Sequence, residues 1–523
     1  MMDEKKLRDI PAEKFQFAQK GAKLYDAKLE TKPIGYFKDA WIRFRRNKSA
    51  VVAFILILSL MLFSLIVPFV SQMDVNFRDG YYKTVLPKMP GLSNLGIWDG
   101  CSTQKVTQSG YDYLRSISVE TGRPVIIQEK NSYQDAKGLQ YYDLKVDSYT
   151  KVGYVFMNLS EGDYQKLMQY QDETGIQVIY PLQQTHQTDY VMANGGANFW
   201  YKLKNENKTS DGAALLDEAG NFIPNYMTSD NKEKAGYTSL RIAGDNGGAD
   251  GNTWYVYAQK NQSGYKVRLD YYEYFQYMNG FEPMFIFGTN MYGQDIFACL
   301  AAGGRLSFLL AFGVSFINLL IGAVYGSIEG YYGGTIDIIM ERISDVLGSV
   351  PFIVVATLFQ LHLAEKAGPL LSLLFAFVLT GWIGIAARVR MQFYRFKGQE
   401  YVLAARTLGA NDRRLIFKHI FPNALGTIIT SSVLAIPNVI FSESMLSYLG
   451  IINLETSSMT SIGTMLSNGQ GYLSTFPHII LFPALFISIL EISFNLFGNG
   501  SAVEPASVCN RIKQHGVLNR FHI

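Results

Sequence analysis

Residues 400–423 read E-Y-V-L-A-A-R-T-L-G-A-N-D-R-R-L-I-F-K-H-I-F-P-N, and they lie between two apolar runs each long enough to cross a bilayer. A connection between two spans needs only a few residues, whereas this one carries a helix–glycine–helix plan. In its first half Ala404 and Ala405 put small side chains on one face, ahead of Gly409, where a helix can end in a left-handed turn. In its second half Arg413, Arg414, Lys418 and His419 precede Pro422, a residue common at helix starts. Small residues allow another protein surface to approach closely, and basic residues mark the cytoplasmic side of a membrane protein. The segment is expected to be a docking element for a cytoplasmic partner.

Working outward, residues 49–70 contain no charge and exceed the roughly 20 residues that a spanning helix needs. Further spans are expected at 306–328, 343–363, 369–387, 425–447 and 476–497, six in all. Nothing comparable lies between 72 and 285. The mean hydropathy of +0.05 therefore averages a membrane part and a large soluble insertion.

Charge sets the expected orientation. The basic stretch W-I-R-F-R-R-N-K (41–48) precedes the first span, and arginine and lysine crowd 388–418 after the fourth. Basic residues near span ends stay inside, and six spans put both of these regions and the C-terminus in the cytoplasm. The insertion then lies outside; it holds 20 Lys/Arg against 25 Asp/Glu, so the positive excess of the chain sits elsewhere. About 48 polar residues precede the first apolar run, which argues against a cleavable signal peptide. The aromatic-basic stretch 36–48 reads as an interfacial helix leading into the first span. Cys101, Cys299 and Cys509 fall in different expected compartments, so no disulfide framework is expected, a pattern typical of a Gram-positive surface.

The insertion holds 23 of the 33 tyrosines, which argues for a folded β-containing domain over a disordered linker. It also carries an internal echo. Tyr111, Leu114, E-T-G (120–122) and Val125-Ile126 recur fifty-three residues later as Tyr164, Leu167, E-T-G (173–175) and Val178-Ile179. Each copy reads as a helix stopped by Gly122 or Gly175, followed by a short strand, and the pair suggests an α+β domain built by duplication. Residues 254–258 and 265–272 flank N-Q-S-G (261–264) and predict a hairpin, while 192–253 reads as loops. Asn158-Leu-Ser and Asn207-Lys-Thr match the glycosylation pattern and are taken as coincidence.

The element A-A-x-x-x-G (404–409), with Pro422 thirteen residues after the glycine, resembles the loop by which permeases of ABC importers seat in their ATPase subunits. The wider wording, E-Y-V-x-A-A-R-x-L-G-A and then K-H-I-x-P-N, resembles the oligopeptide/dipeptide permease family, and its C-type subunit in particular. F-G-T-N-M-Y-G-Q-D-I-F (287–297), G-Y-Y-G-G (330–334), S-V-P-F (349–352), S-Y-L-G (447–450) and F-N-L-F-G (494–498) match the same family in order. The resemblance covers 36–71 and 285–500. Three departures stand out: Leu403 replaces the acidic residue usual before the paired alanines, Asn290 an expected Asp, and Gln294 an expected Arg. The tail 501–523 lacks the family's charged pattern, as a frameshifted C-terminus would.

The resemblance implies an all-α membrane domain of six transmembrane helices, a type I ABC importer permease, with a large α+β extracytoplasmic insertion. The expected domains are a tail (1–48), helix 1 (49–71), the insertion (72–285), a permease core (286–500) with its coupling loop (388–424), and the atypical tail (501–523). It further implies ATPase coupling through Glu400, Ala404, Ala405, Gly409, Ala410 and Pro422. The implied partners are a sister permease in a heterodimer, two cytoplasmic ATPases that bind ATP and Mg, an extracellular substrate-binding lipoprotein, a peptide and membrane lipid. Oligopeptide is the family-level substrate, with dipeptide or nickel-chelate uptake the alternative.

The residues themselves exclude several chemistries. The chain has no G-x-x-x-x-G-K-[ST] loop, no H-E-x-x-H, no Cys/His metal spacing and no G-x-S-x-G elbow, so no cofactor, metal or catalysis is expected of it. The paired Arg413 and Arg414 read as topology and docking charge rather than as a nucleic-acid site. Glu443, in the outer end of the fifth span, is a candidate for the translocation path or its gate; the competing reading is a hydrogen bond between helices. Glu491 in the sixth span stays open. Asp337, Glu341 and Asp345 form an acidic stripe read as a solvated cytoplasmic face. A surface receptor acting through 72–285 is the alternative of another class, but one span would serve it and the 400–423 segment would have no purpose.

Overall fold

The computed structural model describes residues 44–184, 196–204, 213–229, 233–234, 237–240, 254–454 and 460–501. Most of the interfacial stretch 36–48, Asn207-Lys-Thr, Cys509 and the tail beyond Ser501 lie outside the described residues. Among the described residues Cys101 and Cys299 are not joined in a disulfide.

Helix α1 (Lys48–Val70) begins at Asn47, whose side chain accepts the Ala50 N–H, and exposes Val52, Ile55, Leu58, Leu62 and Ile66. An apolar face of that kind suits lipid. The chain then enters an α+β unit. Its strands are β1 (Cys101–Thr107), β2 (Ile126–Gln134), β3 (Gln140–Asp147), β4 (Tyr154–Leu159), β5 (Ile179–Tyr180), β6 (Leu203–Lys204), β7 (Ala213–Ala214), β8 (Thr228–Ser229), β9 (Glu233–Lys234), β10 (Tyr237–Leu240), β11 (Trp254–Asn261) and β12 (Gly264–Asp270). Its helices are α2 (Gln108–Thr121), α3 (Glu161–Thr174) and α4 (Tyr271–Asn279). The described parts of 192–253 thus hold short strands where loops were expected. The β11–β12 hairpin forms, but it stops at Asp270, whose carboxylate caps α4 through the Tyr272 N–H.

The duplication is visible in the hydrogen bonds. In the first copy β3 lies between β1 and β2, with Cys101 opposite Asp147 and Ile126 opposite Val146. In the second β12 lies between β4 and β5, with Tyr154 opposite Asp270 and Ile179 opposite Leu269. The Ser148 N–H donates to the Gly100 carbonyl at 3.0 Å, and the Tyr271 N–H to the Gly153 carbonyl at 2.9 Å. The Asp147 N–H reaches Val125 at 3.0 Å, and the Asp270 N–H reaches Val178 at 2.9 Å. Gly122 and Gly175 end their helices at φ 70° and 71°, a conformation that favours glycine. The copies differ because 181–263 enters the second between β5 and its central strand.

A buried ionic seam joins the copies. Arg268 of β12 is fully buried and is held by both carboxylate oxygens of Glu120 on α2, with the Tyr154 ring 3.9 Å from its guanidinium. Arg123 pairs in turn with Asp270 and Glu273. Burial raises the Glu120 carboxyl above its ordinary range in spite of the guanidinium beside it.

The unit stands on a base made by two distant strips of chain. Val85 N–H donates to Thr289 Oγ1 at 3.0 Å, Thr289 Oγ1 to Tyr82 O at 2.7 Å, and Gln294 Nε2 to Val75 O at 3.1 Å. Lys88 N–H closes the base on Phe285 O at 2.9 Å.

Beyond the base run α5 (Ile296–Tyr332), α6 (Gly334–Gly348), α7 (Phe352–Ala367), α8 (Pro369–Lys397), α9 (Glu400–Thr407), α10 (Asp412–Tyr448), α11 (Ile462–Gly469) and α12 (His478–Ser501). Among the described residues five helices are long and apolar enough to cross a membrane, or six if α6 and α7 count as one span bent by 71°. The expected third span at 343–363 falls across this bend. Pro351 lacks an N–H and disfavours helix in the residue before it, so the helix breaks at 349–351. The 37-residue helices α5 and α10 are each about 55 Å long, well beyond the ~30 Å hydrocarbon layer.

Replacing Arg268 with Met should leave Glu120 buried without its cation, and a broken buried pair costs about 3–5 kcal/mol. Limited proteolysis of the full-length chain should then cut within 72–285 at protease levels that spare the parent and an Arg115→Met control.

Candidate functional site

The segment 400–423 folds as a short helix, a glycine turn and the start of a long helix. Helix α9 ends at Gly409, which has φ 85°; a Cβ there would meet no atom within 4 Å, so the backbone and not crowding calls for glycine. The Asn411 side chain then accepts the Arg414 N–H at 3.0 Å and starts α10. Residues 415–420 form a π-helical turn in which the Phe421 N–H reaches back five residues to Ile416. Pro422 was expected at a helix start. It stands at the second residue of the α-helical stretch Phe421–Val433, which follows the widened turn without a break in the run of α10. A proline inside an α-helix leaves a carbonyl without its partner and clashes with it, and a π turn relaxes that geometry.

The inner face of the segment is apolar. Val402, Leu415, Ile416 and Ile420 pack on Tyr331 of α5 and on Val389 and Phe393 of α8, with Ala405 and Ala410 half-buried against them. Of the three alanines expected at a contact surface, only Ala404 is exposed; helical periodicity turns Ala405 inward. Glu400 and Pro422 are exposed as well. Leu403 and Leu408 face outward beside Ala404, and Leu408 is 88% exposed. The Tyr331 hydroxyl donates to Asp412 at 2.5 Å, and Asn423 Nδ2 reaches the Tyr401 hydroxyl at 3.2 Å.

Two further devices fix the helices behind the segment. Gly322, Gly326 and Gly330 recur every fourth residue on α5, and a Cβ at any of them would collide with α8, at Ile385, the Ala386 carbonyl and Phe393 in turn. Such a stripe lets two helix backbones touch. Arg390 of α8 is then gripped by Asp337 (Nε–Oδ1 2.6 Å) and Glu341 (Nη1–Oε1 2.9 Å) of α6, with Glu329 of α5 at 3.6 Å. The expected solvated stripe is thus corrected: Asp337 is buried and Glu341 shares its cation, because α8 brings Arg390 to them. Asp345 does face solvent, paired with Arg342. The glycine spacing was readable in the sequence; the partner of the acids was not.

Residues 307–502 match the family described as binding-protein-dependent transport system inner membrane component. Residues 35–88 match the N-terminal TM domain of oligopeptide transport permease C. The oligopeptide transport system permease protein OppC of Bacillus subtilis is 42% identical over 221 residues, which are 42% of this chain and 71% of that protein. The chain belongs to the oligopeptide and dipeptide ABC permease family. The dipeptide permease DppC of Bacillus subtilis is 38% identical over 42% of this chain and 68% of that protein. The Escherichia coli OppC is 32% identical over 42% and 72%. This chain is a permease subunit of an ABC peptide importer.

Family membership sharpens three points. The match to residue 88 carries the permease beyond the expected boundary at 71, in agreement with the base where 75–88 pairs with 285–295. The permease's two departures in 287–297 meet in the structure: Asn290 Nδ2 donates to Gln294 Oε1 at 2.9 Å, a neutral pair at the positions where an Asp and an Arg were expected. Glu443 is buried on α10 and accepts from Ser307 of α5 at 3.1 Å and from Ser447 at 3.2 Å. That geometry is the interhelical hydrogen bond. Glu491 is half-buried on α12.

Gly326→Leu should prise α5 from α8 and lower the thermal unfolding midpoint of the purified permease by several degrees. Gly313→Leu on the same helix, where a Cβ meets nothing within 4 Å, should leave it unchanged.

Proposed function

We propose that this permease forms half of an oligopeptide translocation path beside a sister permease, and that 400–423 seats in one of two ATPase subunits that bind ATP and Mg. The supporting observation is the outward face of 400–409, where Leu403, Ala404 and Leu408 stand exposed on an element whose other face is packed. An exposed leucine beside an alanine offers apolar surface and close approach, which a groove in a soluble partner can bury. Glu400 and the basic residues 413–418 rim that face.

In this reading closure of the ATPase dimer pushes on α9. The push passes to α5 and α8 as one body, since glycine packing and the Arg390 clamp hold them together, and the bundle rocks between outward- and inward-facing states. The N- and C-termini and 388–424 lie in the cytoplasm. The 72–285 region lies outside, where it meets a peptide or the lipoprotein that delivers it.

Affinity purification in mild detergent should recover a sister permease and two ATPases in near-equal amounts. Gly409→Asp places a charge on the docking face at a position with room for the side chain. Peptide uptake by membrane vesicles carrying that variant should fall to background while the chain remains in the membrane. Gly409→Asn, which also tolerates the left-handed conformation but is neutral, should keep most of the uptake. Normal uptake by the Asp variant would remove the docking role.

A further inference from the structure

A cleft of about 610 Å³ separates the α+β unit from the permease beneath it, a size within the ordinary range for ligand sites. One wall is Ser102, Thr103 and Gln104 of β1, and Tyr113 and Lys151 also line the cleft. The floor is 81–86 together with Thr475 and Phe476, the residues that lead into α12. The cleft thus touches both the inserted unit and chain that enters the membrane.

Its chemistry is one-sided. The fourteen lining residues include two lysines, Lys83 and Lys151, and no acid, so the cleft favours an anion. Lys151 Nζ donates one hydrogen bond to Gln104 Oε1 at 3.2 Å and retains further donors. The protein around it lowers the Lys151 ammonium below its ordinary range, a cost that a bound carboxylate would offset. The Tyr113 hydroxyl accepts from Asn198 at 3.0 Å and keeps its own proton to donate.

The wall adds a second kind of recognition. Among the described residues strand β1 is the edge of its sheet, in the order β1-β3-β2, so alternate backbone groups of β1 point away from β3. An extended peptide can add to such an edge through main-chain hydrogen bonds that ignore its sequence. The three lining residues of β1 span roughly 10 Å, enough for about three residues of a partner strand. On the floor Thr84 holds φ 56°, a strained conformation for a β-branched residue that recurs at ligand sites.

We propose that this cleft binds an extended peptide by its C-terminal carboxylate, with Lys83 and Lys151 taking the carboxylate and the β1 edge taking the backbone. The choice of a peptide over other carboxylates rests on the importer reading. The site itself rests on the cleft.

The test uses the full-length permease in lipid nanodiscs without ATPases or nucleotide, so that its failure leaves the uptake and co-purification results untouched. Fluorescence anisotropy would follow tetra-alanine labelled at its N-terminus, as the free acid and as the C-terminal amide. The free acid should bind at least about tenfold more tightly, as one charge-assisted contact implies. Lys151→Gln and Lys83→Gln should each weaken the acid by about tenfold and leave the amide unchanged, while Lys151→Arg should retain binding. Equal binding of acid and amide, no binding of either, or lysine variants that bind like the parent would each overturn the proposal. Displacement of the peptide by inorganic phosphate at equal concentration would also overturn it, because the site would then read charge alone.

Discussion

The contact on which the membrane part depends is the approach of α5 to α8 along Gly322, Gly326 and Gly330. Lipid tails are as apolar as leucine, so apolar burial gives two helices no reason to prefer each other; close backbone packing and polar bonds do. The glycine stripe provides the first and positions the second. With α8 seated on α5, Arg390 falls among Asp337, Glu341 and Glu329, and Tyr331 comes within reach of Asp412. Each polar bond is shared between helices distant in sequence. A bulkier residue in the stripe would separate all of them together.

The apolar runs, the glycine turn at 409 and the fifty-three-residue echo were legible in the sequence, because length, left-handed glycine and repetition are local signals. The span ends were less so. The expected 369–387 extends to Lys397, and the expected 425–447 reaches back to Asp412. There the helix leaves lipid and continues as a polar helix, and hydropathy stops reporting it. The partner of Asp337 was not legible, since it depends on which helix α8 lies against. At 349–351 the proline was seen, but hydropathy alone carried the expected span across it.

The α+β unit is held by the rest of the chain at both of its ends. Its entry and exit are joined at Lys88 and Phe285, and the pairing of 75–88 with 285–295 belongs to the permease. Loop-closure entropy grows only slowly with length, and here the two ends are held together by the host. The unit also stabilises itself, through two copies of one strand–helix–strand plan and the seam of Glu120, Arg123, Arg268 and Asp270. The helices of the permease therefore need no change to carry it.

The π turn at 415–420 bears on how chains of this kind can diverge. A π turn holds about one residue more than an α turn, and one residue is a rotation of roughly 100° about the helix axis. Pro422 and every side chain of α10 beyond it are in phase with the 400–409 segment only through that extra residue. Losing one residue here would shorten nothing that matters. It would instead spin Glu443 away from Ser307 while leaving α9 in place. A single-residue gap in an alignment across this turn is thus a change of helical phase, and it would have to be matched by a second one before Glu443 for both ends of the helix to keep their partners.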